Sequence, residues 1–248
     1  MHDKFSDSAG VPWEGRQFSD NPWANDDGKT PAKLLPILAD RPVEKMALTN
    51  ALSGTRLLIP LIAELGEGDV GPNGLVVDKS ADLAIVAVST PDKQTAIPAF
   101  TSVEQMQLWN KTARPVPVAA ERVCLAAASE GHTRVIINPA GEQVALRRTQ
   151  LAAIAKGEIW EVPNKSSVVR DHVLGATRKH GMISSVDLFD GDPESKLVAA
   201  ELTIQLGFKP GLDADSLKAI LLALAEDLQV PEFLELVDSF GFRLVVSN

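Results

Sequence analysis

Cysteine occurs once in the 248 residues, at Cys124. A single thiol excludes an intrachain disulfide framework and a four-cysteine metal site, and it fits a reducing compartment. Histidine is scarce too, with four in all and one of them at position 2. They form neither an HExxH motif nor a clustered ligand set, so no metal is expected. No GxSxG elbow is present to raise a serine nucleophile. No window reaches the apolar length of a membrane span, and the opening MHDKFSDSAG lacks an apolar core behind a basic start. The expected location is the cytoplasm. Basic residues are outnumbered, 24 to 33, for a formal charge of −9. The excess is uneven: −3 over residues 1–30, zero over 31–165 and −6 over 166–248. Counterion release needs arrayed lysines and arginines, so this distribution argues against nucleic-acid and anionic-membrane partners.

What is present is ordinary soluble material, 45% hydrophobic and 23% charged, long enough for two modest cores. Residues 1–30, rich in Asp, Ser, Gly and Asn, have no helical or strand period and are expected to form a mobile acidic tail. The tail holds an imperfect repeat: Phe5-Ser6-Asp7 before Pro12-Trp13, then Phe18-Ser19-Asp20 before Pro22-Trp23. Large rings among polar residues suggest a surface to meet, in cis or on a partner. Trp13, Arg16, Phe18, Pro22 and Trp23 are therefore candidate contact residues. Residues 31–50 read as helical pieces around Pro36 and Pro42, with Val43, Met46, Ala47 and Asn50 or Ala51 facing inward. Thr55 to Leu65, broken by Pro60, reads as an edge strand or bulge. Leu83 to Ser89 reads as a central strand, followed by a turn at Thr90 to Lys93 and a return over Thr95 to Phe100, a three-stranded antiparallel meander. Gly66, Gly68 and Gly71 match GxGxxG, but Pro72-Asn73-Gly74 follows in place of a helix and Glu67 and Asp69 would repel a pyrophosphate, so a hairpin loop is expected.

The stretch Ala96 to Pro139 organises the rest. Thr101 and Glu104 have capping-box spacing, which predicts a helix start. Pro115 and Pro117 end that helix, and Pro117 suits the first turn of a second one, whose buried face is Ala120, Val123, Cys124 and Ala127. Cys124 thus reads as a small buried hydrophobe rather than a nucleophile paired with His132. Arg134 to Ile137 is a short strand stopped by Asn138-Pro139. This order, with PAFTSVEQMQLW leading to VIINPAGE, resembles the N-terminal domain of the SseB family, the bacterial enhanced serine sensitivity proteins. The likeness runs over Leu83 to Glu142, and the leader GVPWEGRQFSDNPWANDDG is similar to that of actinobacterial members. Phe100, Thr101, Glu104, Trp109, Asn138 and Pro139 carry the signature and are read as structural. The resemblance implies a two-domain cytoplasmic α/β protein with no established reaction, linked by name to serine sensitivity. The family's type III secretion label finds no support in the residues, since apolar spans and coiled-coil heptads are both missing.

Beyond Pro139, Val144 to Leu146 and a helix from Arg147 to Lys156, ended by Gly157, are expected, with Arg147-Arg148 as a solvated basic pair. Asn164 to Ser167 is the expected domain boundary, giving an N-terminal domain over 31–163 and a C-terminal one over 164–248. In the latter, Val169, Val173 and Ala176 form a helix face, and strands over 183–189 and 197–206 flank the loop Asp190 to Glu194, which resembles a calcium loop only superficially. Asp213 caps a helix with Leu217, Ile220, Leu221, Leu224 and Leu228 inward, and 233–246 is strand material turning at Gly241. The fold class expected is α+β: a mixed sheet with helices, then a small antiparallel sheet in β-β-α-β order. The functional expectation is a non-enzymatic protein acting through an unidentified protein partner, without a cofactor. The alternative is a small-ligand sensor or hydrolase with its site between the domains.

Overall fold

The computed structural model describes residues 22–62, 69–70, 76–77 and 86–246. A one-turn helix, α1 (Leu35–Ala39), precedes α2 (Lys45–Leu52), whose first turn is capped by the Glu44 carboxylate accepting from the Met46 and Ala47 amides. The inward face of α2 is Lys45, Leu48, Thr49 and Leu52, joined by Val43 ahead of the helix. Met46, expected inside, is exposed, and the lysine beside it is buried because its ammonium meets Asp190 at 2.6 Å. β1 (Arg56–Leu61) follows, then β2 (Asp69–Val70) and β3 (Val76–Val77), which pair antiparallel. Gly66, Gly68 and Gly71 themselves lie outside the described residues.

β4 (Val88–Ser89) and β5 (Thr95–Ala99) form a hairpin over the turn at Thr90 to Lys93. α3 (Val103–Trp109) comes next, then β6 (Arg114–Ala119), α4 (Ala120–Ser129), β7 (Arg134–Ile137), β8 (Val144–Leu146) and α5 (Arg148–Lys156). Three expectations change here. The cap of α3 is Ser102, whose hydroxyl accepts from the Gln105 amide at 3.2 Å; Thr101 is buried against Asn138 and Glu104 is exposed. Pro115 and Pro117 lie in a strand, not at a helix start: β6 pairs antiparallel with β1, Pro60 opposite Pro115 and Leu58 opposite Pro117. A two-stranded ribbon leaves each strand an open side where no amide donor is needed, which is where proline fits. The meander is also replaced. The main sheet runs β4-β5-β7-β8 with β5 and β7 parallel, and β1 is linked to it by the isolated Leu58–Phe100 bridge and by the packing of Leu57. Of the central strand expected over 83–89, residues 86–89 are described; only Val88–Ser89 of these is strand, and among the described residues it is at the sheet edge.

One face of this sheet, Ile97, Ala99, Val135, Ile137, Val144 and Leu146, packs on α2, α4 and α5, with Val123, Cys124 and Ala127 of α4 inside as their spacing predicts. α5 ends at Gly157 in the left-handed region, φ 68°, where an L side chain would be strained. A single 3-10 turn at Pro163–Lys165 leads into α6 (Ser167–Thr177), then β9 (Ile183–Asp190), β10 (Leu202–Phe208), α7 (Ala214–Leu228), α8 (Pro231–Leu234) and β11 (Phe240–Val246). The Asp213 carboxylate caps α7 by accepting from the Ser216 amide at 2.7 Å. The β-β-α-β order holds, but β11 returns parallel to β10, so this three-stranded sheet is mixed. Gly241 lies within β11 and makes no turn.

Residues 197–201 are not strand. They form a loop that crosses the other face of the N-terminal sheet, where Leu197 packs with Ala96, Ile136 and Ala145. Leu197 has φ 59°, a region that costs a branched residue roughly 1–2 kcal/mol. Two gains hold it there: burial of the side chain, and donation of its amide to Asp192 Oδ2 at 2.8 Å. Ala145 also donates its amide to the Ser195 carbonyl at 2.8 Å, so the loop covers the edge of β8. We predict that Leu197→Ala lowers unfolding free energy by about 2–4 kcal/mol, because it removes the burial and keeps the backbone strain. Leu197→Gly, which relieves the strain, should cost no more than Leu197→Ala; denaturant titration of both variants checks the order.

Candidate functional site

Two clusters stand out. The first surrounds Arg56, at the start of an apolar strand yet buried. Its guanidinium donates to the Asp26 carboxylate at 2.5 and 3.0 Å, to the Lys29 carbonyl at 2.6 Å and to the Thr101 carbonyl. Asp26 in return is held below the usual carboxylate range by that guanidinium. Thr30 and Thr101 hydroxyls meet at 3.1 Å, and Val103 donates its amide to the Gly28 carbonyl at 2.8 Å. The expected mobile tail over 1–30 is thus fastened to the body from Asp26 onward. Beside it lies an open groove of about 440 Å³ whose lining includes Trp23, Thr30, Ala32, Leu35 and Gly54, with Leu35 56% exposed.

The family-signature residues sit against this cluster. The Thr101 amide donates to Asn138 Oδ1 at 3.0 Å, and Asn138 Nδ2 donates to the Thr101 hydroxyl at 3.0 Å. Asn138 ends β7 with φ 52°, a conformation asparagine tolerates, and Pro139 follows half-buried. Phe100 is fully buried with its ring centroid 5.4 Å from that of Trp109. The structure brings Phe100, Thr101, Trp109 and Asn138 together and leaves Glu104 on the surface. Of the tail contact candidates, Pro22 is exposed and Trp23 half-buried; Trp13, Arg16 and Phe18 lie outside the described residues.

The second cluster is the junction between the N-terminal sheet and the C-terminal part. Arg147, expected to be solvated, is 4% exposed. It precedes α5, where its amide bonds Gln150 Oε1, and its guanidinium donates to Asp192 at 2.7 Å, Asp238 at 3.3 Å, the Ala199 carbonyl at 2.7 Å and the Ser239 hydroxyl at 3.1 Å. Asp192 is 1% exposed and also caps the loop by accepting from the Lys196 and Leu197 amides. That explains the acidic loop without calcium. Arg134 adds a fork to Asp238, 2.8 Å on both arms, and a bond to Asp92 at 2.9 Å. Lys45 pairs with Asp190, and Arg148 donates to the Leu234 and Val237 carbonyls beside Asp238.

Glu201 lies behind them, accepting from the Asp238 amide at 2.6 Å and from the Thr149 hydroxyl at 3.4 Å. Burial pushes its carboxyl up to about 7; the Asp238 amide works against the rise, the Asp238 carboxylate adds to it, and Arg147 and Lys45 oppose it. Five carboxyl groups, of Asp92, Asp190, Asp192, Asp238 and Glu201, thus face four cations, Lys45, Arg134, Arg147 and Arg148. A proton on Glu201 balances the set. Burial also disfavours the Arg147 charge, and the Asp192 carboxylate, with Glu201 and Asp238, more than offsets it, so its pKa stands above the ordinary value.

Chemically the cluster is closed. Its acids and bases bond one another, and among the described residues no group of three or more His, Cys, Asp or Glu could hold a metal ion. A cleft of about 450 Å³ opens at its margin, with Arg148, Thr149, Trp160, Ser166 and Glu235 in its walls. Trp160 there donates its indole N–H to the Thr149 hydroxyl at 3.2 Å. The remaining nucleophile candidate is disabled by place: burial, with Glu121 adding to it, pushes the Cys124 thiol up to about 12. His132 is engaged elsewhere, its Nδ1 lying 2.7 Å from the Thr95 hydroxyl. Sequence reading missed Arg56, Arg134, Arg147, Asp192, Glu201 and Asp238. The one available signal was a charged residue opening an otherwise apolar strand, as in RLLIPL and RVII.

Residues 33–153 match the family model described as SseB protein N-terminal domain. No curated protein and no solved structure matches the chain.

Glu201 yields a pH prediction. Below its ordinary value of 4.5 both folded and unfolded chains hold the proton; between 4.5 and about 7 the folded chain holds it preferentially. This group's contribution to stability therefore falls as pH rises through that window, by roughly 3 kcal/mol in all. Urea titrations should show that Glu201→Gln, neutral throughout, flattens this part of the profile. An unchanged slope in the variant would show that the proton is held elsewhere.

Proposed function

Because residues 33–153 make this chain a member of the SseB family, we propose that it is a non-enzymatic cytoplasmic protein acting by contact with another protein, and that the family's link to serine sensitivity is exerted through that partner. The observation that carries this reading is the state of the junction. The buried groups a reaction would need, Arg147, Asp192, Asp238 and Glu201, are bonded to one another and to backbone carbonyls and amides. Groups committed in this way stabilise a fold and leave no proton acceptor facing a substrate. The groove beside Trp23 has the opposite character. It is open, partly apolar at Leu35 and Trp23, and bordered by Asp27, Lys29 and Lys33, a setting suited to an anchoring side chain from a partner with a polar rim around it. The repeat in the sequence before it, with Trp13, Arg16 and Phe18, is the second contact element of this reading.

A sensor or hydrolase at the junction has less support, since the arginine in the wall of the marginal cleft already donates to the Leu234 and Val237 carbonyls.

The test is crosslinked capture from the native host with the intact chain, Leu35→Asp, and Trp13→Ala combined with Trp23→Ala. The intact chain should recover one partner in stoichiometric amount and Leu35→Asp should lose it, with an unchanged melting midpoint because Leu35 is mostly exposed. A partner retained equally by all three proteins would place the contact elsewhere. Turnover of a small molecule, abolished by Arg148→Ala, would favour the cleft.

A further inference from the structure

α7 carries apolar residues on more than the face that the C-terminal core uses. Leu224 and Leu228 are buried and Leu217, Ile220 and Leu221 half-buried against that core, yet Leu222 is 57% exposed. It stands in the wall of an apolar groove of about 370 Å³ between α7 and β11, together with Leu217, Lys218, Leu221, Ala225 and Phe242. β11 is an edge strand, with β10 on one side and no strand on the other among the described residues. Leu244, two residues beyond Phe242 and so on the same face, is 43% exposed. The exposed stripe of the helix reads Asp215, Lys218, Ala219, Leu222 and Glu226, at spacings of three and four.

We infer that this surface takes a second copy of the same chain, with the two α7 helices crossing antiparallel about a two-fold axis at Leu222. The charge pattern is the argument. Lys218 lies four residues before Leu222 and Glu226 four residues after, both exposed and neither in an ion pair among the described residues. About an axis through Leu222, Lys218 of each copy faces Glu226 of the other, so one surface is its own complement. Ala219 and Ala225 flank Leu222 and let the helices approach closely, and the two Leu222 side chains meet at the axis, where the apolar walls of the two grooves come together. Lys218 is the single cation of α7, in a third of the chain whose formal charge is −6. A parallel alignment would set Lys218 against Lys218 and Glu226 against Glu226, so the ion pairs select the antiparallel arrangement while the leucines supply the affinity. This contact is independent of the groove beside Trp23.

Sedimentation velocity of the full chain over a wide concentration range tests it. The intact chain should pass from monomer to dimer, and Leu222→Asp should remain monomeric. Lys218→Glu alone and Glu226→Lys alone should each weaken association by about tenfold, and the two changes together should restore it. Both charged positions are exposed, so these variants test the pairing even if Leu222→Asp folds poorly. A strictly monomeric intact chain would overturn the inference, as would a dimer in which the combined reversal is no better than either single one.

Discussion

A guanidinium has been taken out of water at Arg147, and the arrangement of the molecule depends on how that cost is met. Desolvating an ion inside a protein costs several kcal/mol unless charge and hydrogen bonds replace the water. Arg147 obtains both from the C-terminal part: the Asp192 and Asp238 carboxylates, the Ala199 carbonyl and the Ser239 hydroxyl. Those groups come from the loop after β9 and from the approach to β11, the two edge strands, so the bonds of one side chain fasten one end of the C-terminal sheet onto the start of α5. Asp192 then does double duty. Its carboxylate also accepts the Leu197 amide and so holds the left-handed turn that places Leu197 on the N-terminal sheet. Polar and apolar parts of the junction are therefore one construction, in which the arginine and the leucine share one carboxylate oxygen.

This has a bearing on function. A junction filled with compensated charge is a joint, and a joint whose buried Glu201 carboxyl is pushed up to about 7 is sensitive to protons. The two contacts we propose lie outside this joint, at the groove beside Trp23 and at the exposed stripe of α7. The first is held in shape by Arg56, which fastens Asp26 and Lys29 to Thr101 as Arg147 fastens the two halves.

How much of this could be read from the sequence depended on range. The buried face of α4, the end of α5 at Gly157, the stop at Asn138 and the Asp213 cap are local patterns, and each was legible because its periodicity or turn chemistry is contained within a few residues. Pro117 misled because proline suits a helix start and an open strand edge equally, and the deciding fact is β1, more than fifty residues away. Thr101 misled by one position: two adjacent hydroxyl residues can both cap, and the choice went to Ser102 because Asn138 claims Thr101. The joint itself was invisible. Arg147 meets Asp192 and Asp238 across 45 and 91 residues, and nothing in the spacing of an isolated Arg-Arg pair distinguishes a solvated helix start from a buried ion. Lys45 beside Met46 shows the same limit, since the exposed methionine and buried lysine exchange their usual places for the sake of Asp190.

That the arginine joins the two parts into one folding unit is the central claim, and native-state hydrogen exchange tests it most directly. Amides of β7 in the N-terminal sheet and of β10 in the C-terminal sheet should open with the same free energy and the same denaturant dependence in the intact chain. In Arg147→Met, which leaves Asp192 and Asp238 buried without their partner, β10 should open more easily than β7, by about 3 kcal/mol or more. Separate opening of the two strands in the intact chain, or identical opening in the variant, would contradict the account.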